Sequence, residues 1–310
     1  MLSRFCTNRG NFQKTSEFIN QLKQIITMEL KKAVKKQVKL RLGISAVSGG
    51  GKTYSALLLA YGMTNDWTKI AVIDTENESA SLYSDLGDYN VLSLSAPYSP
   101  ERYIEAIHTC ENAGIEVCII DSIAHEWEGE GGVLNLCDTI GGGFQSAWKQ
   151  LTPRHDKFKN TILNSKMHII TTVRRKQEYI LVEEQNKQGR MVQKPVKAGM
   201  KEITREGWEY ELTINFELDL KHNVSVSKDR TNLFIDKPTF VITPETGRQL
   251  MEWCNNGVNE MEESERALRE CKTLDELKNV FTGLPKNIGS QLIGGKDEIK
   301  AELTPKKEAE

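Results

Sequence analysis

The chain has 310 residues, 38% apolar, 27% charged and 7% aromatic, proportions that exclude a disordered or collagen-like chain. No run approaches about 18 apolar residues, which excludes a membrane-spanning helix. A formal net charge of −2 argues against a protein coated by nucleic acid over its whole surface, although that average hides two basic segments.

At about 150 residues per domain the length suggests two domains, and the pattern along the chain sharpens this into three regions. Residues 1–37 form a basic amphipathic leader, with Phe18, Leu22, Ile25, Ile26, Leu30 and Val34 near helical spacing. Residues 1–41 carry ten Lys or Arg against two Glu, a surplus of eight positive charges. The leader has no secretory apolar region, and Met28 offers a second start site. From 38 to 254 short apolar runs alternate with helical stretches. That alternation predicts an α/β core on a mainly parallel sheet. Strands are expected at 38–45, 69–74, 91–96, 117–121 and 168–173. One helix opens at Lys52 and is closed by Gly62. Another has Ser99 as N-cap, Pro100 at its first position and Gly114 just past its end. A third opens at Thr152-Pro153. Alternation over 211–220 and 223–228 predicts a hairpin, and Thr243-Pro244 opens a helix ending near Trp253. Beyond Asn255 the sequence turns acidic, with thirteen acids against nine bases over 252–310. It reads as a small helical module over 255–310, in which Thr273 and Glu276 make a capping box and Leu274, Leu277 and Phe281 share one apolar side.

The six cysteines, Cys6, Cys110, Cys118, Cys137, Cys254 and Cys271, form no CxxC pair, and the five histidines are scattered. This usage fits reduced thiols, no zinc site and a cytoplasmic location.

The most specific motif is Gly43-Ile-Ser-Ala-Val-Ser48-Gly49-Gly50-Gly51-Lys52-Thr53, a glycine turn between an apolar strand and an apolar helix. Glycines let successive N–H groups turn inward onto phosphate oxygens, and the helix N-terminus adds its dipole. Ser48, Gly49, Gly50, Gly51, Lys52, Thr53 and Tyr54 are therefore the expected residues for binding the phosphates of a nucleotide cofactor. Lys52 reaches the β- and γ-phosphates, and the Thr53 hydroxyl ligates Mg²⁺. One departure stands out, because the first glycine of the usual pattern is Ala46. A second acid for Mg²⁺ is expected at a strand's carboxyl end, and Val117-Cys-Ile-Ile-Asp121 supplies Asp121. Glu76, at the end of Ala71-Val-Ile-Asp-Thr-Glu76, is the candidate for orienting an attacking water. Glu126, Glu128 and Glu130 are its rivals.

The succession AVSGGGKT, VIDTE, VCIIDS, HIITTVRRK resembles the RecA-type ATPase core, closest to a phage-encoded branch that includes single-strand-annealing recombination ATPases. The resemblance spans about Val38 to Trp253. It implies that Glu76 activates water and that Thr172 stands where the family usually has a Gln γ-phosphate sensor. It also implies that Lys228 and Arg230 reach the nucleotide of a neighbouring subunit, as an arginine finger does; ATP would then sit at the interfaces of a homo-oligomer. Residues 174–205 hold nine Lys or Arg against four Glu and few apolar residues, and read as a long mobile loop. In RecA-like proteins a loop at this place grips single-stranded DNA. Arg174, Arg175, Lys176, Arg190, Lys194 and Lys197 are the candidate phosphate contacts, and Tyr179 could stack on a base. The glycine-rich stretch 129–143 is a second, weaker candidate loop. The expectation is an oligomeric ATPase acting on single-stranded DNA in phage or mobile-element recombination. A ring-forming helicase motor, a P-loop kinase and a nucleotide-gated scaffold with little hydrolysis are the rival readings.

Overall fold

Short β-branched runs punctuated by Gly and Asn become the strands of one eight-stranded sheet. The computed structural model describes residues 37–140, 143–185, 191–257 and 260–304; the leader over 1–37 lies outside them except for its last residue. The strands are β1 (Arg41–Ala46), β2 (Ile70–Asp74), β3 (Asn90–Ser93), β4 (Val117–Asp121), β5 (His168–Gln185), β6 (Met191–Glu202), β7 (Ile214–Leu218) and β8 (Val224–Asp229). Their order is β3-β2-β4-β5-β1-β7-β8, with β6 paired to β5 off this path. All pairings are parallel except β5 with β6 and β7 with β8. Parallel strands covered on both faces read as unbroken apolar runs. Accordingly β1, β2 and β4 are buried at every position.

The helices are α1 (Lys52–Thr64), α2 (Pro100–Asn112), α3 (Ala124–Glu128), α4 (Val133–Thr139), α5 (Phe144–Asn164), α6 (Trp208–Glu211), α7 (Pro244–Asn255), α8 (Glu260–Arg269), α9 (Leu274–Gly283), α10 (Lys286–Gln291) and α11 (Ile293–Leu303). One core joins Leu42, Ile44, Ile214 and Phe216 of the sheet to Leu57, Leu59 and Leu250 of α1 and α7. On the other face Ile73, Ile120 and Ile169 meet Tyr103 and Ile107 of α2 and Phe158 and Ile162 of α5. Arg41 ties the layers together. Its buried guanidinium donates to the Leu163 and Ser165 carbonyls at the end of α5, at 3.1 and 2.6 Å, where a helix C-terminus favours a cation.

Four expectations are corrected. Gly62 does not close α1, which runs on to Thr64; a side chain at 62 would meet the Pro244 carbonyl at 1.9 Å, so this glycine serves close packing on α7. The helix expected from Thr152-Pro153 starts at Phe144, with Pro153 inside it. Its earlier turns are held because Ala147 and Leu151 pack on Val133 and Cys137. That packing also makes part of the 129–143 stretch helical rather than a loop. The basic segment 174–205 is not a loop. β5 continues through it to Gln185 and pairs antiparallel with β6, with a bulge between Glu178 and Tyr179. The apolar run Tyr179-Ile180-Leu181-Val182, paired in register with residues 194–197, supplies strand propensity that the charge count obscured. Arg190 lies outside the described residues, as do the side chains of Lys194 and Tyr179.

The remaining elements follow the sequence with shifted ends. β7 is shorter than the expected 211–220, because α6 takes Glu211. In the C-terminal helices Leu268, Leu277, Ile288 and Leu292 make a separate cluster with Phe281 against it, while Leu274 is exposed. The Thr273 hydroxyl accepts the Glu276 N–H at 3.2 Å, and Glu276 reaches back to Lys272 rather than to Thr273.

His168, which opens β5, is buried, and its Nδ1 accepts the Leu40 N–H at 3.1 Å. Burial, with the charges of Lys39 and Arg41, pushes its pKa from 6.5 to about 3. The neutral ring is thus favoured in the fold, so stability present above pH 6.5 is lost as pH falls toward 3. By linkage this amounts to about 2 kcal/mol between pH 7.5 and pH 5. His168→Asn, which keeps an acceptor in place of Nδ1, is expected to flatten that slope in denaturation midpoints measured across this range.

Candidate phosphate-binding site

The carboxyl ends of β1, β2 and β4, with the point where β5 leaves the parallel sheet, bring four motif segments together. After Ala46 the chain turns through residues 47–51, with the Gly50 N–H donating to the Val47 carbonyl at 3.1 Å. Gly49 and Gly51 take φ of 77° and 79°, left-handed values that favour glycine. No side chain caps α1 and no acid lies in its first turn. Its first N–H groups are therefore free to meet an anion. Lys52 is buried at the start of this helix, and Tyr54 is exposed, its ring edge against Tyr83.

Asp121, at the end of β4, is fully buried. Its Oδ2 accepts the Thr53 hydroxyl and its Oδ1 accepts the Thr172 hydroxyl at 2.5 Å. Burial raises its pKa, against those two hydrogen bonds and the charge of Lys52. Thr172 thus faces the acid. Thr75 stitches the neighbouring strand to the same point. Its N–H donates to the Asp121 carbonyl at 2.8 Å, and its hydroxyl lies 2.8 Å from His125 Nδ1.

Glu76 follows at the end of the β2 segment. Asp74 positions it by accepting the N–H groups of Glu76 and Ala80, both at 2.7 Å. The Glu76 carboxylate takes the Arg174 Nε–H at 2.8 Å. Burial pushes its pKa up, but the Arg174 bond and charge, with Lys52 and His125, outweigh it and hold the group below the usual carboxylate range. Two of the three rival carboxylates are engaged elsewhere. Glu126 is buried against His155 Nδ1 at 3.0 Å, and Glu128 pairs with Lys176 at 3.6 Å.

The expected cationic residues divide. Arg174 belongs to the phosphate site through Glu76. Arg175 donates to Glu217 at 2.8 Å, Lys176 pairs with Glu128, and Lys197 is exposed on β6. Lys228 and Arg230 sit at the opposite edge of the sheet. The pairing Ile214 with Asp229, and Leu42 with Ile214, places them near the start of β1 rather than its end. There Lys228 donates to the Glu209 carbonyl at 3.0 Å and Arg230 to that of Tyr210 at 2.9 Å. Sequence reasoning missed His222, in the β7–β8 turn, whose Nδ1 lies 3.3 Å from the Gly50 carbonyl oxygen. No motif spacing announces it, since only the sheet order brings that turn beside the phosphate loop.

Among the described residues no helix is long and apolar enough to cross a membrane, and no group of three or more His, Cys, Asp or Glu is placed to hold a metal ion by itself. A magnesium ion here would have to share its ligands with bound phosphates, which suits the pairing of one buried acid with one threonine hydroxyl. In comparisons, the family described as an AAA domain matches residues 38–231. No curated protein matches the chain. Among solved structures, a prototypical ATPase from the type III secretion system of pathogenic bacteria aligns over 89% of this chain and 82% of its own, at 13% identity and a TM-score of 0.34. At that score the likeness carries no weight for the site.

Arg174→Ala is expected to raise the Glu76 titration toward the ordinary range, as read by carboxyl-selective NMR. The pair is partly exposed, at 38% and 20%, so its loss is expected to cost only about 0.5 kcal/mol at neutral pH. A depressed acid stabilises above its unfolded pKa. The difference between wild type and variant should therefore vanish as pH falls through the Glu76 titration.

Proposed function

The chain belongs to the AAA domain family, and from that premise we propose that it binds and hydrolyses ATP with Mg²⁺ and couples this to single-stranded DNA as a homo-oligomer. The observation that carries the reading is that one strand, β5, joins the phosphate site to the basic ribbon. Its residues Thr172 and Arg174 touch Asp121 and Glu76, and its continuation is the ribbon with β6 that presents Lys197.

In this reading the N–H groups of the phosphate loop and of the first turn of α1 bind the triphosphate, with Lys52 neutralising its β- and γ-oxygens. Thr53 and Asp121 would hold a magnesium ion, which would supply charge neutralisation to the phosphates. Thr172 keeps Asp121 in its orientation. Glu76, ionised at neutral pH, accepts the hydrogen bond of the attacking water. The resemblance to a phage recombination branch and the basic ribbon both support DNA as the partner. Lys228 and Arg230, at the far edge of the sheet from their own phosphate loop, would meet the nucleotide of a neighbouring subunit.

The Arg174–Glu76 pair favours a second reading, a nucleotide-gated scaffold with little turnover, because it occupies the carboxylate that water must approach. The two readings separate in an ATPase assay run with and without single-stranded DNA. Coupling predicts stimulation by DNA in the wild type and its loss in both Lys52→Ala and Glu76→Gln. DNA retention should fall at least tenfold between about 50 and 200 mM salt if several phosphates are contacted. Turnover indifferent to DNA, with no salt-dependent retention, would overturn the DNA reading. Normal hydrolysis by Glu76→Gln would remove Glu76 from its role.

A further inference from the structure

The turn between β7 and β8 reaches the phosphate loop from the side opposite the acids. Asp219 builds this turn. Its Oδ1 accepts the N–H groups of Lys221 and Asn223 at 2.8 and 2.9 Å, its Oδ2 accepts the Asn223 amide at 2.9 Å, and its carbonyl accepts the His222 N–H at 3.0 Å. These bonds hold His222 at a φ of 65°, a left-handed conformation uncommon outside glycine. The imidazole rests on the loop, with Nδ1 3.3 Å from the Gly50 oxygen, and a Cβ at Gly51 would lie 2.6 Å from the same nitrogen.

A carbonyl only accepts, so in the neutral ring the tautomer that satisfies this contact carries its hydrogen on Nδ1 and keeps a lone pair on Nε2, on the other side of an exposed ring. A lone pair repels phosphate oxygens and calls for a ligand group bearing a hydrogen. The sheet order tells which part of a nucleotide that is. Asp121 on β4, Thr172 on β5 and Glu76 after β2 all lie on one side of β1, whereas β7 lies on the other. With the terminal phosphate on the acidic side, the nucleoside extends toward β7.

We propose that His222 is a nucleotide-positioning residue whose Nε2 accepts a hydrogen bond from the nucleoside, through a ribose hydroxyl or an exocyclic amine. The inference rests on the reading of residues 46–53 as a nucleoside-triphosphate site. Neither the glycine motif nor the acids assign a group to the nucleoside, and His222 fills that gap.

The test is calorimetric titration of the full chain with ATP and, separately, with inorganic tripolyphosphate. His222→Asn keeps a donor for the Gly50 carbonyl but removes the nitrogen that faces outward. It is expected to weaken ATP binding about five- to tenfold, the worth of one hydrogen bond, and to leave tripolyphosphate binding unchanged. His222→Ala should lose at least as much for ATP. In the wild type, 2′-deoxy-ATP, 3′-deoxy-ATP and inosine triphosphate identify the donor, because the analogue lacking it binds more weakly. Unchanged ATP affinity in His222→Asn, an equal loss for tripolyphosphate, or full wild-type affinity for all three analogues would overturn the proposal. Lys52→Ala serves as the control. Were the wild type to bind neither ligand, or Lys52→Ala to bind both as well as the wild type, the nucleotide site itself would fail instead.

Discussion

A single buried carboxylate organises the phosphate-loop end of the sheet. Asp121 has no solvent contact, and a charge in that position is tolerated only when it is hydrogen-bonded. The Thr53 and Thr172 hydroxyls supply the bonds, one from the helix after β1 and one from β5. Thr75, from the β2 end, binds the backbone of the same residue. The phosphate loop, the β2 terminus and the middle of β5 at Thr172 are thereby fixed to one point. A change at any of them shifts the environment of the others.

Two acids a short distance apart along the sheet edge are driven in opposite directions. Burial raises Asp121, while Arg174 lowers Glu76. Pairs separated in this way are how one site assigns distinct tasks to chemically similar groups. Asp121 favours a compensating cation nearby, and Glu76 remains a hydrogen-bond acceptor through the neutral range. The net charge of −2 says nothing of this, because several basic side chains at the root of the ribbon are paired with Glu76, Glu217 and Glu128 rather than free.

The features legible in the sequence are those set by local rules. Apolar runs ending in Asp located β2 and β4, and Gly-Lys-Thr after an apolar strand located the loop and the start of α1. Ser99-Pro100 marked the start of α2. The misreadings each involve a contact distant in sequence. Gly62 reads as a helix stop, but the Pro244 carbonyl packs against it. Pro153 resembled a helix start because the turns before it are held by Val133 and Cys137. The ribbon was hidden by its charges, since pairing of residues 176–185 with 191–201 depends on register rather than composition. His222 carries no spacing signal, because its place on the Gly50 carbonyl follows only from β7 lying next to β1.

The ribbon also has a mechanical consequence. Beyond the bulge between Glu178 and Tyr179, β5 runs to Gln185, about 23 Å at the usual strand rise. A bulge concentrates twist and bending at one place, so this segment is a lever arm with its fulcrum four residues from Arg174. Swinging it by about 10° would carry its end some 4 Å at that length. At the same strand rise Arg174 lies about 13 Å from that fulcrum, so a shift of about 2 Å there would be carried to the tip of the ribbon as about 4 Å.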